Sequence, residues 1–179
     1  MGCSFDEVFA AEVASLHGFI ARRLGRSIAD DLTAETFAIA YRRWGDFDPS
    51  RPVRPWLYGI AANLIRHQWR KERRMLRAYA RTGTDPVLLE EDSSLDRLNA
   101  QTVRPALAAA LAELRREERE VLLLHAWADL SDAEIAESLS LPVGTVKSRL
   151  SRAREQLRNR LGPIGQGEVE TLKTAEEQR

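Results

Sequence analysis

Apolar residues recur at three- and four-residue steps through most of the chain, the period of helices that bury one face. Phe5, Val8, Phe9, Val13, Leu16, Ile20 and Leu24 form the first such stripe, and Gly25 breaks it. A second helix is expected from about Ile28 to Trp44, with Leu32, Phe37, Ala40, Tyr41 and Trp44 on its inner side. Asp30, Asp31 and Glu35 lie on its outer side, acids that suit a helix N-terminal region. The stretch Gly45 to Pro55 holds three prolines and one glycine and reads as a loop. A long helix then follows from about Trp56 to Tyr79, with Leu57, Ile60, Ala61, Leu64 and Gln68 facing inward.

The sharpest local pattern lies between Ser131 and Arg160. Ser131 and Glu134 have the spacing of a capping box, so a helix starts there with Ile135 and Leu139 as its apolar row. Ala136 is small enough for a second helix to cross closely, and Ser140-Leu141-Pro142 ends the first one, since a proline disfavours helical geometry in the residue before it. Pro142 can open the next helix, where its missing N–H costs nothing. On that helix Val146, Leu150, Ala153, Leu157 and Leu161 make one buried stripe. Thr145, Ser148, Arg149 and Arg152 form one polar row, and Lys147, Ser151, Arg154 and Arg158 the other. Two helices, a tight turn and a basic second helix make a helix-turn-helix, whose second helix can lie in a DNA major groove. An amphipathic surface helix with a solvated basic face is the plainer alternative. The capping box, the turn and the apolar stripe together favour DNA.

Charge changes the picture. The 27 Lys and Arg balance the 27 Asp and Glu, yet residues 51–81 carry nine bases against one acid and residues 143–161 carry six against one. Two basic blocks therefore alternate with acidic ones, and the neutral total hides two nucleic-acid footprints. An acidic surround also weakens unassisted binding to bare DNA, which hints at a partner that delivers the protein. In the first block Asn63, Arg66, His67, Arg70, Arg74 and Arg77 share a helix face, with Trp56, Tyr58 and Trp69 interleaved. Cations with aromatics suit single-stranded or melted DNA, where bases stack on rings. For Trp56 and Trp69, burial in the core is an equal alternative.

Residues 82–103 contain a proline, small polar residues and an acidic cluster and read as a linker, although Leu88, Leu89, Leu95 and Leu98 could make a short helix or pack on a partner. As a flexible coil this length spans roughly 25 Å, and about 70 Å extended. The expected architecture is all-α: two small helical domains, residues 1–81 and 104–161, on either side of that linker, with a Gly- and Glu-rich tail at 162–179.

The 44% hydrophobic content fits a globular protein and excludes general disorder. No apolar run approaches the roughly 20 residues of a membrane span, and no basic segment leads into an apolar signal core. Cys3 stands alone, and His17, His67 and His125 are scattered without ligand-spaced partners. No cofactor, no metal, no membrane insertion and a cytoplasmic location are expected. Nothing offers a nucleophile–base pair or paired acids, and GTVK lacks the glycine spacing of a phosphate loop, so no catalytic residues are expected.

Across residues 5 to 161 the chain resembles extracytoplasmic-function (group IV) sigma factors of the sigma-70 family, the promoter-recognition subunits of bacterial RNA polymerase. ADDLTAETFAIAYRRW, PWLYGIAANLIRHQWRKERR and the loop between them are similar to sigma region 2. LAELRREEREVLLLHAWADLSDAEIAESLSLPVGTVKSRLSRAREQLRNRL is similar to region 4, and the EIA and GTVKSRLSRAREQLR pair is the specific part. The resemblance implies core RNA polymerase as partner, with Asp31, Glu35 and Phe37 meeting the β′ clamp helices, Phe37 having core packing as its alternative, and with region 4 meeting the β flap. The family's usual glutamine before that glutamate is Ala34 here.

It also implies promoter DNA. The loop from Phe47 to Pro55, with Arg51 and Arg54, would capture a flipped −10 base, at a stacking cost of a few kcal/mol. Trp56, Asn63, Arg66, His67 and Arg70 would read and melt the −10 element, and Thr145, Lys147, Ser148, Arg149, Arg152 and Arg154 would read the −35 element. An anti-sigma factor, the family's common control, is an expected partner. The resemblance is to a two-domain form, without a long N-terminal inhibitory segment, a sizeable middle domain or a large C-terminal addition. Two other classes compete: a stand-alone helix-turn-helix repressor or activator, which would bind a palindrome as a dimer, and a decoy whose basic faces bind acidic proteins.

Overall fold

The structure is a computed structural model that describes the backbone of residues 4–82 and 96–162; the side chains of residues 69, 82 and 96–104 fall outside the description. Every regular element among the described residues is helical. Helix α1 spans Phe5–Leu24 and α2 Arg26–Arg42, followed by a 3₁₀ turn at Trp44–Asp46. Helices α3 (Val53–His67) and α4 (Trp69–Thr82) complete the first half. Helices α5 (Asp96–Glu113), α6 (Arg116–Trp127), α7 (Asp132–Leu139) and α8 (Val143–Leu161) make the second.

Local chemistry sets most of these boundaries. Ser4 caps α1 and Ser131 caps α7, each in a complete capping box, with Glu7 and Glu134 as the reciprocal acceptors. Gly25 joins α1 to α2 at φ +87°, a conformation that a side chain would strain. Ser140 closes α7 in the left-handed region at φ 53°, and α8 begins directly after Pro142. The stripe Val146, Leu150, Ala153, Leu157 and Leu161 is buried in full.

Four expectations need correction. The long helix from Trp56 to Tyr79 is two helices, α3 and α4, jointed at Gln68. That residue turns near φ −97°, ψ 4°; its N–H reaches Ile65 O, and its carbonyl accepts from Lys71 and Glu72. Gln68 is thus a joint rather than an inward-facing member of the stripe. Of the linker expected at 82–103, residues 83–95 lie outside the described part, and residues 96–103 belong to α5. Tyr58 is fully buried against Phe19, with ring centroids 5.2 Å apart, so it is core and not part of the basic surface. Finally, α2 begins at Arg26, so Asp30, Asp31 and Glu35 lie beyond its first turn.

The two halves share one continuous core. Helix α7 packs on α3, α5 packs on α4 and α8, and α6 on α8. At the contact of the halves lies a buried ionic cluster that the periodicity does not announce. Arg23 on α1 donates through Nε to Glu72 on α4 at 2.6 Å, and through Nη1 and Nη2 to both carboxylate oxygens of Glu120 on α6, at 2.8 and 3.2 Å. Arg119 on α6 meets the other Glu72 oxygen at 3.0 Å and donates to Leu111 O. Burial alone would lower the affinity of Arg23 for its proton; the charges of Glu120 and then Glu72 outweigh it and hold that affinity above the ordinary value.

Candidate nucleic-acid interface

The first basic surface begins at the loop after α2. Phe47 stacks on Trp44 at 5.3 Å and leans on Trp56 at 4.8 Å, so three rings form one cluster at the start of α3. Trp56 is half-buried there, an intermediate between its two expected roles. Asp48 shapes the loop by accepting from both the N–H and the hydroxyl of Ser50, which holds its carboxyl below the usual range. Arg51 is exposed, within 3.8 Å of Asp48 and 3.3 Å of Glu137 on α7. Arg54 is half-buried, 3.4 Å from Glu12, and donates to Ala128 O at 3.2 Å. Further along, Asn63, Arg66, His67 and Arg70 are exposed on α3 and at the start of α4, and Arg74, Arg77 and Arg81 continue the exposed basic face. The side chain of Trp69 lies outside the described residues.

The second surface is α8. Lys147, Ser148 and Arg152 are exposed, Thr145 and Arg149 half-buried. Ser148 returns its hydroxyl to Thr145 O, which ties the helix start together. Arg152 reaches the buried Glu118 at 3.4 Å, and Arg154 reaches His125 Nε2 at 3.0 Å. His125 thus sits between Arg154 at Nε2 and Leu130 O, 3.2 Å from Nδ1. Arg154 therefore also braces α8 on α6, a role that a charge row cannot reveal.

The third group lies on α2, where Asp31, Ala34 and Glu35 are exposed side by side. Phe37 is not with them. It is 4% exposed and packs against Phe5 and Phe9, so it is core and offers a partner no surface. Sequence reasoning missed Arg23, Glu72, Arg119, Glu120 and Ser138. One signal was present: Glu72 is the single acid among nine bases in residues 51–81, four residues before the buried Leu76.

The chain matches the family described as Sigma-70 region 2 over residues 8–75 and that described as Sigma-70, region 4 over residues 104–157. It is 30% identical over 175 residues to the RNA polymerase sigma factor CnrH of Cupriavidus metallidurans, covering 85% of this chain and 92% of that protein. It is 37% identical over 139 residues to the ECF RNA polymerase sigma factor SigL of Mycobacterium tuberculosis, covering 76% of each. The chain is an extracytoplasmic-function sigma factor of the sigma-70 family. Its fold agrees: the sigma factor RpoE, solved with the anti-sigma factor NepR from Bartonella quintana, superposes with a TM-score of 0.64 at 25% identity, covering 89% of this chain and 97% of that one. This sigma factor is thus an alternative RNA polymerase subunit that directs transcription initiation, and its relatives give no support to a stand-alone regulator. No described helix is long and apolar enough to cross a membrane.

Proposed function

We propose that the α3–α4 surface reads and melts the −10 element, that α8 reads the −35 element, and that Asp31 and Glu35 dock on the β′ clamp helices of core polymerase. On this reading residues 1–81 are the docking and melting unit and residues 104–161 the −35 unit, with a contact to the β flap. The observation that carries it is the pairing of an aromatic cluster with a basic helix face. Phe47, Trp44 and Trp56 offer ring surfaces beside exposed Asn63, Arg66, His67 and Arg70. That combination suits unpaired bases and the backbone that carries them. By contrast α8 presents short polar side chains at its start and arginines behind them, the arrangement that reads base edges and pairs with phosphates in a major groove.

Asp31 and Glu35 stand one helical turn apart with Ala34 between them on the same exposed face. A carboxylate pair of this kind meets basic side chains on a partner helix, and its strength falls as salt rises. Similarity to a sigma factor solved with an anti-sigma factor supports a protein inhibitor of this chain too. The test is a pair of charge reversals, Asp31→Lys and Glu35→Lys, assayed for core-polymerase binding and for run-off transcription. Polymerase binding is expected to fall together with initiation while the helical content is unchanged. Full binding by the double variant would remove this face from the dock.

A further inference from the structure

A strongly basic groove lies beyond both promoter-reading faces. Helices α4 and α5 and the end of α8 flank a concavity of about 970 Å³, the size of a small-molecule site. Arg74, Arg77 and Arg81 of α4 and Arg160 of α8 line it, against a single carboxylate, Glu113 of α5. Ala78, Ala106 and Ala109 add a small apolar lining. Arg160 stands eight residues along α8 from Arg152, about 12 Å from the end offered to the major groove. The α4 arginines continue the basic face of α3 past the joint at Gln68, but here α5 walls them in, and the aromatic cluster at the start of α3 is left behind.

The charge in this groove is not neutralised from within. Arg77 donates through Nη2 to Glu113 at 3.0 Å and so takes the one carboxylate. Arg74, Arg81 and Arg160 form no ion pair among the described residues. Glu113 itself reports the local potential: the hydrogen bond from Arg77 and the charges of Arg77, Arg73 and Arg160 hold its carboxyl below the usual range. Like charges gathered around a concavity focus the field inside it and raise the local concentration of anions. All four bases are arginines. Their planar guanidinium forks match the oxygens of phosphate two at a time, where an ammonium offers only a point charge.

We propose that this groove binds the phosphate chain of a polyphosphate-bearing ligand, a nucleoside triphosphate or inorganic polyphosphate, with Arg74, Arg81 and Arg160 as its phosphate contacts. The inference goes beyond promoter reading and does not depend on it. Three guanidinium groups without an acid partner suit a chain of phosphates better than a single one. The alanines leave space beside them for a ribose or base, so a nucleotide gains apolar contact that inorganic triphosphate lacks. Glu113 repels the incoming anion and limits its affinity. Because the contacts come from more than one helix, the ligand ties α4 to α8 across α5 and stabilises the folded chain by mass action.

The test is isothermal titration calorimetry of the full chain with guanosine triphosphate, adenosine triphosphate, inorganic triphosphate and guanosine monophosphate. Each triphosphate is expected to bind one-to-one and saturably and to raise the melting temperature, with the monophosphate at least about tenfold weaker. Arg81 and Arg160 are exposed. Arg81→Gln and Arg160→Gln should therefore keep the helical circular-dichroism signal while each weakens triphosphate binding about tenfold. Glu113→Gln should strengthen it, and Arg42→Gln, an exposed arginine on α2, should leave it unchanged. Tighter binding of the nucleotides than of inorganic triphosphate supports the site with a nucleotide as its ligand, and equal binding supports it with inorganic polyphosphate. Absence of saturable triphosphate binding, an equal loss in Arg42→Gln, or binding of polyglutamate where triphosphate fails would overturn the proposal. Transcription with core polymerase is measured separately, so a failure of the promoter assignment and a failure of this site are told apart.

Discussion

Removing the Arg23 side chain should destabilise the protein more than any surface charge change. Arg23 is 2% exposed and satisfies two carboxylates, Glu72 at 1% and Glu120 at 6%, which sit on different helices and in different halves. After Arg23→Ala, Glu72 keeps Arg119, while Glu120 loses both hydrogen bonds that the cluster gives it. Breaking a buried pair and leaving one charge unpaired costs about 3–5 kcal/mol. A further fraction comes from Phe19, whose ring lies 5.3 Å from the guanidinium. Against a total stability of roughly 5–15 kcal/mol, this brings the variant close to unfolding. With a urea slope near 2.5 kcal/mol/M, a loss of about 4 kcal/mol moves the midpoint down by about 1.6 M.

Urea titration followed by circular dichroism measures it, and the double variant Arg23→Met with Glu120→Leu is the control. Replacing both partners by apolar groups of similar size removes the orphaned charge, so the double variant should regain at least about 1 kcal/mol over the sum of the single changes. A loss under about 1 kcal/mol for Arg23→Ala, or strictly additive costs, would refute a clamp made of mutually dependent charges.

Three further outcomes follow from particular residues. Ser131→Ala removes the hydroxyl that accepts from Glu134 N–H and should cost about 1 kcal/mol, read as a fall in melting temperature of roughly 2–4 °C. Tyr58 titrates above its ordinary value because burial penalises the phenolate, so its contribution to stability is present below about pH 10, its unfolded pKa, and lost as pH rises through the higher folded value; ultraviolet tyrosine titration alongside alkaline denaturation should show both changes together. Arg152→Ala should lose about 1–3 kcal/mol of −35 discrimination in binding of the holoenzyme to duplexes substituted at single positions, whereas an equal loss on every sequence would make Arg152 a phosphate contact only.

The C-terminal unit was legible because its signals are local. A capping box, a proline at a helix start and a five-residue apolar stripe each act within a few residues, and each appears where the spacing places it. The α3–α4 joint was not legible, since no glycine or proline marks Gln68 and the outward bases run on past it. Tyr58 looked like part of the basic face because Arg54 and Asn63 flank it in sequence, yet the ring finds Phe19 across the bundle. Phe37 has both a motif position and an aromatic pocket, and the pocket of Phe5 and Phe9 takes it. The ionic clamp was hidden for a deeper reason. Its members are separated by up to 97 residues, and buried charge pairing over that distance leaves no periodic trace.

On the proposed function, two separate faces of this sigma factor read two promoter elements for core polymerase. Run-off transcription from a randomised promoter library, with core polymerase and either the unmodified chain, Arg152→Ala or Arg66→Ala, tests it most directly. The unmodified chain is expected to select a bipartite sequence. Arg152→Ala should relax only the upstream part, and Arg66→Ala should weaken only selection and opening at the downstream part. Loss of selection at both parts from either single change, or initiation without any sequence preference, would contradict it.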